Sequence, residues 1–126
     1  MTKADRARID EALRRAEEGT SARIAVRIVP DAKIDALERA KAEFMGRSMH
    51  EHPGANAALI LVAPKARSFA VLGDRTLHER VGQSFWDETV AQMSRSFVSG
   101  TPTDAILLGI ERLGDAFHLH FASEAS

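Results

Sequence analysis

Ile9, Ala12, Leu13 and Ala16 recur at helical spacing, with Arg and Glu filling the opposite face, so the chain begins with an amphipathic helix that Gly19 should end. Between residues 22 and 29 the period changes. Ile24, Val26 and Ile28 alternate with Arg23, Ala25 and Arg27, which predicts a strand with one buried face and one only partly covered. Pro30-Asp31 breaks it, and Ile34, Leu37, the stem of Lys41, Phe44 and Met45 then predict a helix with those residues along its inner side. Gly46, Pro53, Gly54 and Asn56 mark residues 46–56 as a long loop. Residues 57–63 are apolar without alternation, as expected of a central strand covered on both faces. The intervening helix predicts that this strand pairs in parallel with the first through a right-handed crossover. The short turn at Pro64–Arg67 instead forces residues 68–72 to run antiparallel.

Two further helix starts are visible. Thr76-Leu77-His78-Glu79 has the form of a capping box, and Thr101-Pro102-Thr103-Asp104 joins an N-cap threonine, a proline and an acid in the first turn. Val81, Phe85, Met93 and Phe97 form one apolar stripe ending near Gly100, and Ile106, Ile110, Leu113 and Phe117 form the next. The order α-β-α-β-β-α-α predicts an α/β domain, a small mixed sheet with helices on both faces. Residues 1–126 read as a single domain, with an N-terminal helix over 1–19 and a small, polar tail over 122–126 that is expected to fray.

Composition narrows the partners. A chain of 126 residues supports one core, and its net charge of −1 offers no field for nucleic acid or an anionic membrane. The lack of cysteine removes disulfides, thiolate catalysis and the usual zinc cages. No apolar run approaches the ~20 residues that span a bilayer, and Met1-Thr2-Lys3-Ala4-Asp5-Arg6 leads straight into a charged helix, so a soluble, cytoplasmic protein is expected.

Candidate chemistry collects around one segment. Asp74 follows Gly73 at the end of a strand, where its carboxylate can ligate a hard cation or cap its own turn. Asp87 and Glu88 are adjacent on a helix and so about 100° apart, which lets at most one face Asp74. Asp87, beside Trp86, is the better placed of the two; the alternative is a solvated helix face. Asn56, Gly73, His78 and Trp86 are the expected lining of a cleft at the strand end, with Trp86 divided between core and pocket wall. Glu79 is explained by the capping box. His50 and His52 fall in a loop, and His118 and His120 lie two apart on a helix, which gives them no shared face for a metal. No phosphate-binding glycine loop and no Gly-x-Ser-x-Gly elbow are present.

Asn56, Leu59-Ile60-Leu61-Val62, Phe69-Ala70-Val71-Leu72-Gly73-Asp74, Val81-Gly82-Gln83-Ser84-Phe85-Trp86, Met93, Phe97, Gly100, Gly109-Ile110 and Phe121 together resemble the pattern of the TPM domain family, in particular its small soluble bacterial branch. The resemblance runs over residues 20–121 and is most specific from Gly-Asp to Phe-Trp. It implies a Rossmann-like, three-layer α/β/α sandwich. It also implies a range of roles: divalent-metal or calcium binding in some members, acid phosphatase activity in a plant thylakoid branch, and accessory or assembly roles in others. Two departures stand out. Arg75-Thr76-Leu77 replaces the Gly-Ile that usually follows Gly-Asp, and Ala55-Asn56-Ala57 replaces Arg-Asn-Gly, which removes an arginine suited to phosphate.

Two functions fit these residues. The first is a non-catalytic binding or accessory module with a weak Ca²⁺ or Mg²⁺ site at Asp74, Asp87 and Glu88, and no organic cofactor. Its partner would be a protein or a small phosphorylated ligand. The second is a metal-dependent phosphomonoester hydrolase in which the same carboxylates hold the ion.

Overall fold

β2 (Ala57–Ala63) is the centre of the sheet, and all its residues are buried, alternating sides included. That burial is the pattern expected of a strand covered on both faces. A computed structural model describes residues 1–123. β1 (Arg23–Ile28) pairs with β2 in parallel and β3 (Ser68–Gly73) pairs with it antiparallel, giving the sheet order β1-β2-β3. Both directions agree with the reading from connection lengths. The hairpin between β2 and β3 turns through a short 3₁₀ segment, Pro64–Ala66, closed by Arg67 in the left-handed region at φ 50°.

The chain divides into two compact units, one formed by Arg23–Gly82 and the other by Met1–Ala22 together with the chain from Gln83. In the first, α2 (Ala36–Gly46) packs on the sheet through Ala36, Ala40 and Phe44, which form a core with Val29, Leu59, Leu61 and Ala70. This corrects the predicted helix face. Leu37 and Met45 are exposed, and Ile34 precedes the helix. The helix turns its two alanines to the sheet because small side chains allow a close approach, and Phe44 fills the space at the far end.

Glu43 ties α2 to the strand beneath it. Its carboxylate lies 3.5 Å from Arg27 Nε, 3.6 Å from Arg39 Nε and 3.1 Å from Arg47 Nε. The arginine face of β1 is therefore partly covered, Arg27 meeting Glu43 of α2 while Arg23 stays exposed. Burial opposes ionisation of Glu43, but the hydrogen bond from Arg47 and the charges of Arg27 and Arg47 outweigh it, so the carboxyl ionises below its usual 4.5. A depressed carboxyl contributes stability above its unfolded-state value and loses it as pH falls through the folded one. In thermal melts, the gap between wild type and Glu43→Gln should be widest above about pH 5 and should narrow progressively as pH falls below it.

The second unit is helical. α1 (Lys3–Glu17) starts in a capping box, Asp5 N–H donating to Thr2 Oγ1 and Thr2 N–H to Asp5 Oδ2. α5 (Pro102–His120) starts in another, between Thr101 and Asp104, and buries Ile106, Ile110, Leu113 and Phe117 as predicted. α4 (Gln83–Ser99) buries Trp86, Thr89 and Met93.

α3 (Arg75–Val81) and α4 are separate helices, where the sequence pattern suggests one continuous stripe. Gly82, at φ 77°, ends α3 and re-aims the chain, a backbone state that costs glycine nothing. The capping box expected at Thr76 and Glu79 does not form. Asp74 is the N-cap and Thr76 lies inside the first turn, its N–H bonded to Ala55 O at 2.9 Å.

The start of the tail is tied to the turn after α1. Ala122 bridges Thr20, and Ser123 N–H donates to Gly19 O at 2.7 Å. The rest of the predicted frayed tail, residues 124–126, lies outside the described residues.

Candidate functional site

The strand order decides where Asp74 lies. Because β3 runs against β2, its exit meets the entrance of β2: Gly73 pairs with Ala58, and Asp74 N–H donates to Ala57 O at 2.9 Å. Asp74 thus sits at the amino edge of the parallel β1–β2 pair. That is the edge opposite the carboxyl ends of the parallel strands, where ligands collect in open α/β sheets.

Asp74 divides its two oxygens between two conditions. Oδ1 accepts the Arg75 N–H at 2.8 Å and so caps α3, as the turn-forming reading expected. Oδ2 is shut off from solvent and takes no hydrogen bond among the described residues. A charged oxygen left in that state costs more than the roughly 1–3 kcal/mol of a neutral polar group. Asn56, 1 % exposed, immediately precedes the Ala57 carbonyl that receives Asp74. Asn56, Gly73, Asp74 and His78 belong to the sheet unit, with His78 exposed on α3.

Trp86, Asp87 and Glu88 belong to α4 in the helical unit. Trp86 is buried and meets Phe85 edge to face, ring centroids 5.1 Å apart, which makes it a packing residue there. Asp87 Oδ1 accepts from Gln83 Nε2 at 3.0 Å one turn earlier. Glu88 pairs at 3.6 Å with Arg112, whose guanidinium also bonds Thr89 Oγ1 at 2.8 Å and lies 4.7 Å from the Phe85 ring centre. Both acids are exposed and each has a partner within its own unit. Among the described residues, no three His, Asp or Glu side chains stand together as an ion-holding group.

The histidines separate into different roles. His118 brings Nδ1 to 2.7 Å from Gly114 O and Nε2 to 2.8 Å from Glu18 O, joining α5 to the end of α1. His50 Nε2 lies 3.8 Å from Glu51. His52 lines a recess of about 330 Å³ together with Arg23 and Arg47, a grouping that the sequence reading did not assemble. Its signal was faint, since one residue opens a strand, one closes a helix and one lies in a loop. A larger open groove, about 840 Å³, runs between α1 and α5 over Ala7, Ala12, Ala16 and Gly114.

The solution structure of BA42 from Bizionia argentinensis is 30% identical, with a TM-score of 0.88 over 98% of this chain and 86% of that one. The N-terminal domain of cg2496 from Corynebacterium glutamicum is 14% identical, with a TM-score of 0.73 over 93% of this chain and 74% of that one. An N-terminal domain of a P. gingivalis protein is 12% identical, with a TM-score of 0.81 over 100% of this chain and 83% of that one. The last two share the fold. No curated protein matches the chain. Among the described residues, no helix is long and apolar enough to cross a membrane. The family model described as the TPM domain matches residues 1–116, nearly everything from the first helix through α5, and with the BA42 likeness this places the chain in the TPM domain family.

Proposed function

We propose that this TPM domain is a binding or accessory module whose point of recognition is the Asp74 edge of the sheet, with a weak site for Ca²⁺ or Mg²⁺. The observation that carries the reading is Asp74 Oδ2, a buried anionic oxygen with no hydrogen bond among the described residues. A hard cation satisfies such an oxygen without the directional demands of a donor. Asp74 would supply the one anionic ligand of such a loose site. Such an ion would supply positive charge at Asp74, where an anionic group of a partner could join its shell. The chain's own residues hold the carboxylate in place, Arg75 N–H fixing Oδ1 and Ala57 O fixing the backbone.

The test is titration of the chelator-treated protein with Ca²⁺ and then Mg²⁺, read by amide NMR shifts, beside Asp74→Asn. Asparagine keeps the N-cap, so the variant removes charge and leaves the helix start intact. Saturable shifts centred on residues 55–58 and 73–77 are expected, with dissociation constants on the order of 10⁻⁴–10⁻³ M, and the variant should abolish them. Shifts that persist in the variant, or none at millimolar ion, would remove Asp74 from the reading.

A further inference from the structure

We infer that the recess lined by Arg23, Arg47 and His52 is a binding site for a compact oxyanion. These cationic or potentially cationic side chains come from three separate elements, and each backbone position is fixed. Arg23 opens β1 in register with Ala57. Arg47 caps the end of α2, its N–H donating to Glu43 O at 2.9 Å. Ser48 follows at φ 56°, a left-handed residue that turns the chain into the 3₁₀ segment Met49–Glu51, and His52 ends that segment. The recess, about 330 Å³, is at the small end of ligand cavities, with room for a phosphate or carboxylate head and few further atoms.

Charge selects the ligand. The lining carries the guanidiniums of Arg23 and Arg47 and the carboxylate of Glu51, while Glu43, which also meets Arg47, divides its charge among Arg27, Arg39 and Arg47. Glu43 engages Arg47 through Nε at 3.1 Å, so the terminal amines keep their donors. A guanidinium fork matches two oxygens of a phosphate or carboxylate, where a lysine would offer only a point charge. Ile24 and Ala57, both buried, form apolar wall, and an ion pair beside such a wall is screened less than one in open water. The site requires no cation at Asp74, although Ala57 both lines the recess and accepts the Asp74 N–H.

Inorganic phosphate, titrated into the full chain at constant ionic strength with chelator present, tests the assignment by amide NMR. Saturable shifts are expected at residues 23–25, 47–52 and 57. Arg23→Gln and Arg47→Gln should each weaken binding about tenfold, the loss of one charge-assisted contact. Lys65→Gln, a lysine in the hairpin at the opposite edge of the sheet, should leave it within about twofold, as expected of a charge beyond screening range. Amide spectra of each variant report whether the fold is kept. With chelator present throughout, phosphate binding is read in the absence of any divalent ion, so failure here and failure of the cation site are separate results. Succinate in parallel distinguishes the head group: saturation by either anion supports the site, and the tighter one names its chemistry. Diffuse shifts, equal losses in Lys65→Gln, or undiminished binding in both arginine variants would overturn it.

Discussion

Leu61→Ala is expected to destabilise the protein by about 3–4 kcal/mol, with a fall in Tm of roughly 10 °C or more. Leu61 is fully buried in β2, between Arg27 of β1 and Ala70 of β3, and belongs to the core beneath α2. Much of that core is alanine: Ala36, Ala40, Ala57, Ala63 and Ala70. Alanines have no further reach with which to fill a void, so a leucine removed from among them leaves a cavity that collapses poorly. Leu37→Ala is the matched control. At 45 % exposure, Leu37 should cost less than about 0.5 kcal/mol. Urea denaturation of the two variants decides between the helix face that periodicity suggests and the one described here. Comparable losses would mean that α2 is rotated from the present arrangement.

The α2 case shows what hydrophobic spacing can and cannot reveal. The larger apolar residues, Leu37, Phe44 and Met45, dominate a pattern reading, yet the buried line is Ala36, Ala40 and Phe44. Alanine is nearly silent as a hydrophobic signal, while sterically it is what lets a helix lie close to a sheet. The strands were legible for the opposite reason. β2 has an unbroken apolar run, and the connections on either side have only one economical direction each. Gly82 belongs to the Val81–Trp86 family pattern, but the break it makes between α3 and α4 depends on a positive φ that side-chain periodicity does not encode. Thr76 and Glu79 fit a capping box in spacing, and Asp74, two residues earlier, captured the helix start instead.

The candidate site was legible in one residue and not in its surroundings. Gly73-Asp74 marks a strand end in sequence, but which edge of the sheet that end occupies follows from the antiparallel pairing of β3. Asp87 and Glu88 carried the right chemistry for a hard cation, yet local partners take them up, Gln83 one turn away and Arg112 across to α5. Arg23, Arg47 and His52 carry no motif, because the register of β1 on β2 and the left-handed turn at Ser48 create their proximity. Long-range register of this kind is a property of the folded chain, and no local spacing announces it.

Gly114→Ala should destabilise the helical unit by about 1–2 kcal/mol, against the trend of glycine replacement in helices. In an open helix interior the same change gains about 1 kcal/mol. Here a Cβ would stand 3.0 Å from Ala16 Cβ and 3.1 Å from Ala16 Cα, so α1 and α5 pack backbone to backbone at this point. The obstructing atom includes main chain, and α1 has little freedom to retreat. It is held by His118 at the Glu18 carbonyl, and the residues beyond it by the Thr20–Ala122 bridge. A larger residue raises the cost: Gly114→Val should lose about 3 kcal/mol or more, joining overpacking to a β-branched side chain in a helix. Gly46→Ala supplies the opposite sign, since nothing lies within 4 Å of its added Cβ, and a gain of up to about 0.5–1 kcal/mol is expected. Ala16→Gly in the Gly114→Ala background removes one of the two colliding groups, so denaturation of the double variant should recover part of the loss beyond additivity. Strict additivity would show that the cost arises somewhere other than the α1–α5 contact.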